Sequence, residues 1–205
     1  MTEKKRFIVV NFEYIMNATP KTVELKELYK ELYKDIEKAE QLYWSEPQKS
    51  GMLLRKATEK ICQIYNSYYE IGFSKNALLE DYLCYTADDS HNIMVSRFLS
   101  SVRQEQRDRL ECLRVWGDEC VFMDINPKER KHRQDMLYLN VKKMMSHMME
   151  TTKEMCQRLD HMDDLEKWRF DEKILPGYMT EEERMELEEQ KKKEEKRRKI
   201  LFWKK

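Results

Sequence analysis

The sequence predicts an all-α fold, a bundle of four long helices and one short one, and three observations carry that expectation. Only 4 Gly and 4 Pro occur in 205 residues, too few for folds built on many tight turns, such as sandwiches, barrels or doubly wound sheets. Apolar residues recur at spacings of three and four over long stretches, which gathers them on one face of a helix. The four prolines, at 20, 47, 127 and 176, fall where one such stripe stops and another starts.

Taken in order, the first stripe is Leu25, Leu28, Leu32, Ile36, Ala39 and Tyr43, and the second is Leu53, Ala57, Ile61, Ile64, Tyr65 and Tyr68. A short one runs through Leu78, Leu79, Tyr82 and Leu83. The fourth is read as one helix through Val95, Phe98, Val102, Leu110, Leu113, Trp116 and Cys120. The fifth is rich in methionine (Leu137, Val141, Met144, Met148, Met155, Leu159, Met162) and reads as adaptable core or a partner-facing groove rather than a cofactor site. Ser45 with Gln48, Asn126 with Glu129 and Thr180 with Glu183 have the spacing of a capping side chain and its reciprocal acceptor.

The two ends differ from this body, and the chain divides into an N-terminal arm (1–20), the helical bundle (21–170), and a linker with a charged C-terminal helix (171–205). Residues 6–15, RFIVVNFEYI, are β-branched and aromatic and form either a strand or an extended arm lying on the bundle. From Thr180 acidic residues lead and basic ones follow, which suits the helix dipole. Residues 189–205 hold 9 basic and 3 acidic residues. Lys191, Lys192, Lys193, Arg197, Arg198 and Trp203 are therefore the candidate contacts to a protein or nucleic-acid partner.

Several function classes are excluded by composition. The glycines, at 51, 72, 117 and 177, are too far apart for any phosphate-cradling glycine loop. Basic and acidic residues balance at 39 each, so no uniformly basic surface is implied. The longest early apolar run, Phe7–Val10, is too short for an export signal or a membrane span. With five cysteines and no C-x-x-C spacing, the expectation is a cytoplasmic chain with reduced thiols, no membrane contact, no metal and no cofactor.

Three stretches carry a family resemblance. Lys38-Ala39-Glu40-Gln41-Leu42-Tyr43-Trp44-Ser45-Glu46-Pro47 is followed by Leu53-Leu54-Arg55-Lys56-Ala57-Thr58-Glu59, and later by Leu113-Arg114-Val115-Trp116-Gly117-Asp118-Glu119-Cys120-Val121-Phe122. Together they resemble a widespread bacterial HEPN-like helical domain, found alone and at the front of type I restriction motor subunits. The resemblance spans roughly residues 30 to 160. It implies a HEPN-like bundle, self-association as a dimer, and a bacterial or phage-defence setting.

Arg55 and Glu59 lie four apart on one helix, where they can pair or hold a neighbouring helix through the guanidinium fork. Gly117 sits inside a helical pattern at a cost of about 1 kcal/mol against Ala, which a close helix crossing or a backbone kink would explain. Ribonucleases of the related fold use Arg-x(4–6)-His, with His handling protons and Arg stabilising phosphate charge. No Arg stands five to seven residues before His91, His132, His147 or His161. At the family positions the His is Phe122, which cannot exchange protons, and the Asn is Asp118, which would repel phosphate. Catalysis would have to use Arg114 as clamp, with Asp118 beside it and His132 displaced from the next loop. Glu129-x-x-His132 lacks the second such pair that a di-iron bundle needs. The expected function is therefore a non-catalytic helical interaction module that self-associates, with a ribonuclease using Arg114 as the rival.

Overall fold

The computed structural model describes residues 11–122 and 130–180, with 182, 183, 185–187, 189, 190, 193 and 194; for 122 and 130–134 it describes backbone alone. Thr22 opens the first long helix, its hydroxyl accepting the Leu25 backbone N–H at 3.2 Å. That satisfies one of the donors a first helical turn leaves without a partner. Helix α1 (Val23–Leu42) turns through a short corner into α2 (Pro47–Tyr69).

Pro47 occupies the first turn of α2, where a missing N–H costs little. The Ser45 cap expected there is not made, and Glu46 is the N-cap without a side-chain bond. The corner is closed by backbone instead, with Glu46 N–H donating to Leu42 O at 2.7 Å. The Ser50 hydroxyl adds a bond to Ala39 O at 2.7 Å. The capping pair read at Thr180 and Glu183 is made in both directions, at 2.8 and 3.3 Å. The pair at Asn126 and Glu129 lies outside the described residues.

Beyond α2 come α3 (Leu79–Leu83), α4 (Asp89–Ser101), α5 (Gln104–Phe122) and α6 (Arg130–Asp160). The stripe from Val95 to Cys120 is therefore two helices, not one. Val102 is extended at φ −116°, ψ 150°, and the hydroxyls of Ser100 and Ser101 donate back to the carbonyls of Arg97 and Phe98. Such back-bonding competes with the helical ladder and favours an end there. Val102 stays buried across the break, so the apolar spacing runs through it without a gap.

Helix α2 is the centre, packed on α1, α5 and α6. Leu54, Ala57, Ile61, Ile64 and Tyr65 of α2 are fully buried, and so are Met144, Met145, Met148 and Met155 of α6. The methionine stripe is core, as read. The N-terminal reading is corrected: Glu13–Asn17 is a 3-10 helix, not a strand or extended arm, and no strand occurs among the described residues. Phe12, Tyr14 and Ile15 are about 1% exposed, and the Tyr14 hydroxyl bonds Thr152 Oγ1 at 2.6 Å. Residues 1–10 of that arm lie outside the described residues.

After α6 the chain recrosses the bundle through 3-10 turns at Leu165–Lys167 and Glu172–Ile174 and ends against the α1–α2 corner. Leu175 is buried there, and the Tyr178 ring lies 5.7 Å from that of Trp44. The boundary read at 171 thus falls inside a packed segment, which runs at least as far as Tyr178. Among the described residues, no helix is long and apolar enough to cross a membrane.

Candidate functional site

The site begins with an absent side chain. At Gly117 on α5, an added Cβ would lie 2.6 Å from Cβ and 2.8 Å from Cγ of Arg55. Glycine there lets the stem of Arg55 lie against α5 and brings its guanidinium beside Asp118. Gly51 does the same for the other end of the crossing, where a Cβ would run into Sγ of Cys120.

Beyond Gly117 the Arg55 fork meets three carboxylates from three helices. Nε donates to Asp118 Oδ1 at 2.7 Å, Nη1 to Glu59 Oε1 at 2.8 Å and Nη2 to Glu80 Oε1 at 2.6 Å. The second oxygen of Asp118 accepts from Arg114 Nη1 at 3.2 Å. Arg114 closes a two-pronged fork on Glu111, Nε to Oε2 at 2.9 Å and Nη2 to Oε1 at 2.5 Å. Asp118 thus bridges two guanidinium groups, and every nitrogen of both forks is engaged. Two arginines face four carboxylates, so the cluster is negative by two charges.

The electrostatics follow. The Glu111 fork raises the already high Arg114 value against the opposing effect of burial, with Cys84 and Asp118 adding to the rise. Burial lowers Arg55, but the Asp118, Glu80 and Glu59 carboxylates outweigh it and the net shift is upward. Both groups are locked in the charged form, as befits positioning residues in an ion network.

The sequence singled out Arg55, Glu59, Arg114 and Asp118, and the fold brings these four together. His132 lies in the first turn of α6 and Phe122 closes α5, with their side chains outside the described residues. Among the tail candidates Lys193 is exposed and pairs with Glu189 at 3.6 Å. Lys191, Lys192, Arg197, Arg198 and Trp203 lie outside the described residues.

Family models, curated proteins and solved structures were compared with the chain, and none matches it. The geometry alone must carry the function.

Two members of the cluster were not read from sequence. Glu111 stands three before Arg114, a legible helical spacing. Glu80 comes from α3, 25 residues from Arg55, and leaves no local signal. His91 lies on α4, where a ring nitrogen is 3.3 Å from Cys84 O. Elsewhere, His147 is half buried against Trp116, with ring centroids 5.2 Å apart. Burial, Arg109 and Lys143 all lower its pKa, which favours neutral imidazole. Among the described residues, no group of three or more His, Cys, Asp or Glu side chains is placed to hold a metal ion. Cys62, Cys120 and Cys156 are buried, and burial pushes the Cys120 thiol up to about 12, far from an activated thiolate.

Proposed function

We propose that the chain is a non-catalytic helical interaction module, a degenerate HEPN-like bundle that self-associates and binds a protein or nucleic-acid partner, in a bacterial or phage-defence setting. The observation that carries this reading is the engagement of Arg114 by Glu111 and Asp118. A phosphate clamp needs donors free to meet the ligand, and a cluster with excess negative charge repels a phosphodiester. Phe122 at the family histidine position removes the proton carrier as well. What remains is a rigid frame that presents surfaces, with the basic residues after 190 as the contact to an anionic partner.

The second reading is a ribonuclease that uses Arg114 with a displaced histidine, His132, and one observation favours it: Asp118 stands beside Arg114, its carboxylate 3.2 Å from Nη1. The two separate on incubation of end-labelled structured and single-stranded RNAs with the wild type, Arg114→Ala and His132→Ala. The module reading expects no cleavage by any of them. It also expects salt-sensitive RNA or partner binding that is lost when residues 180–205 are removed while circular dichroism stays helical. Cleavage by the wild type that disappears in both variants, with unchanged circular dichroism, overturns it.

A further inference from the structure

The α1–α2 corner carries a shallow groove of about 310 Å³, lined by Lys38 and Leu42 of α1 and by Lys49, Met52, Leu53 and Lys56 of α2. Its floor is apolar and its rim is lysine. Residues 49, 52, 53 and 56 are spaced i, i+3, i+4, i+7, so they form one continuous face of α2. Lys49 pairs with Glu46, and Lys56 with Asp35 at 3.0 Å, yet both lysine side chains remain more than half exposed. Met52 is 42% exposed, a large apolar side chain with nothing over it among the described residues.

The start of the C-terminal helix has the complementary pattern. The Thr180–Glu183 cap sets where that helix begins. Residues 180–189 hold six Glu and one Arg. Glu182, Met185, Glu186 and Glu189 repeat the i, i+3, i+4, i+7 spacing, which puts an apolar residue between glutamates on one face. Met185 is 65% exposed, and Glu182, Glu186 and Glu189 are exposed beside it.

The chain enters this helix from the corner that bears the groove, since Tyr178 packs on Trp44 and Gly177 lies against the same side chain. Even so, no residue of the C-terminal helix lines the groove among the described residues. An acidic helix that starts from the corner bearing a complementary lysine-rimmed groove suits exchange between two copies, because one twofold axis satisfies both grooves at once.

We propose that the groove seats the acidic first turns of the C-terminal helix of a second copy of this chain, reciprocally. Met185 packs on Leu42, Met52 and Leu53, and Glu182, Glu186 and Glu189 face Lys38, Lys49 and Lys56. This assignment rests on the self-association in the reading above and names its surface. The contact has one apolar anchor and an exposed ionic rim, so it is weak and salt-sensitive. The basic residues after 190 stay outside it and keep their own partner.

The test is sedimentation equilibrium on the full chain with two charge reversals, Lys38→Glu/Lys49→Glu and Glu182→Lys/Glu186→Lys. All four side chains are exposed and none pairs with a buried charge among the described residues, so circular dichroism should be unchanged. The wild type is expected to dimerise, each reversed chain to associate at least about tenfold more weakly, and an equal mixture of the two to recover a heterodimer. Recovery is decisive, because in the mixture each reversed groove meets a reversed tail and each native groove a native tail. Reversed chains that dimerise as the wild type does overturn the groove assignment and leave self-association standing. A wild type that stays monomeric overturns both, while the RNA experiment above is untouched by either result.

Discussion

Gly117 of α5 lies against the stem of Arg55 on α2, so close that a Cβ at 117 would sit 2.6 Å from Arg55 Cβ. The atom it would meet is next to the α2 backbone and cannot swing away as the end of a long side chain can. Helix separation, guanidinium position and the Asp118 bridge are therefore one geometric fact.

Gly117→Ala is expected to destabilise the fold. In an exposed helix that change gains about 1 kcal/mol; here the overpacking at the crossing costs about 1–3 kcal/mol and prevails. The urea midpoint should fall. A midpoint that rises would show that the helices part without cost.

The spacing of apolar residues made α1, α2 and α6 legible, because each keeps its stripe over many turns. It concealed the end of α4, since Val102 is buried on both readings and the period runs on through it. At the other end, Phe12, Tyr14 and Ile15 have side chains that suit a strand and suit a core equally well; with no partner edge, they fill the core. Half of the site could be read locally, from Arg55–Glu59 at i, i+4 and from a glycine with a cost to explain. The Asp118 bridge was visible as spacing from Arg114 but was read as repulsion toward phosphate instead of attachment to arginine. Glu80 had no local signal, being brought in by a five-residue helix at the end of a loop.

Arg55→Ala should cost more than Arg114→Ala. Arg55 joins carboxylates from α2, α3 and α5, and its loss leaves Glu59, Glu80 and Asp118 repelling one another. Among the described residues Arg114 pairs with Glu111 and Asp118 of its own helix. The groups are 17–48% exposed, so the expected losses are modest, about 1–2 kcal/mol for Arg55 and under about 1 kcal/mol for Arg114. Repeating the denaturation in about 1 M salt should narrow the gap, because screening weakens the repulsion left behind. Equal losses would mean that Arg55 does not tie the three helices.

Ending the chain after Thr180 should leave the urea midpoint unchanged, whereas ending it after Phe170 should lower it. The segment between them supplies buried Leu175 and Glu172. The Glu172 carboxylate accepts from Tyr43 Oη at 3.0 Å and Lys142 Nζ at 2.7 Å, and its carbonyl from Trp44 Nε1 at 3.3 Å. Burial of one leucine and these bonds together are worth about 2–4 kcal/mol. Equal midpoints for the two truncations would show that 171–178 is a linker after all.

The same segment is tied to the N-terminus through a buried carboxyl whose charge sets a pH dependence. Asn11 Nδ2 donates to Glu40 Oε1 at 2.8 Å and to Asp171 O at 3.2 Å, and Asp171 N–H returns a bond to Asn11 Oδ1 at 2.9 Å. Burial pushes the Glu40 carboxyl up to about 8, with the Asn11 bond opposing and Glu37 adding to the rise. The folded chain then holds a proton at neutral pH that the unfolded chain, near the ordinary value of 4.5, has released. Because the folded state binds more protons in that window, stability must fall as pH rises from about 4.5 to about 8. Glu40→Gln keeps an oxygen for Asn11 and cannot ionise. Its midpoint should match the wild type near about pH 4.5 and exceed it increasingly up to about pH 8, with the gap constant above. A gap that does not widen across that window would mean that Glu40 is already ionised in the folded chain.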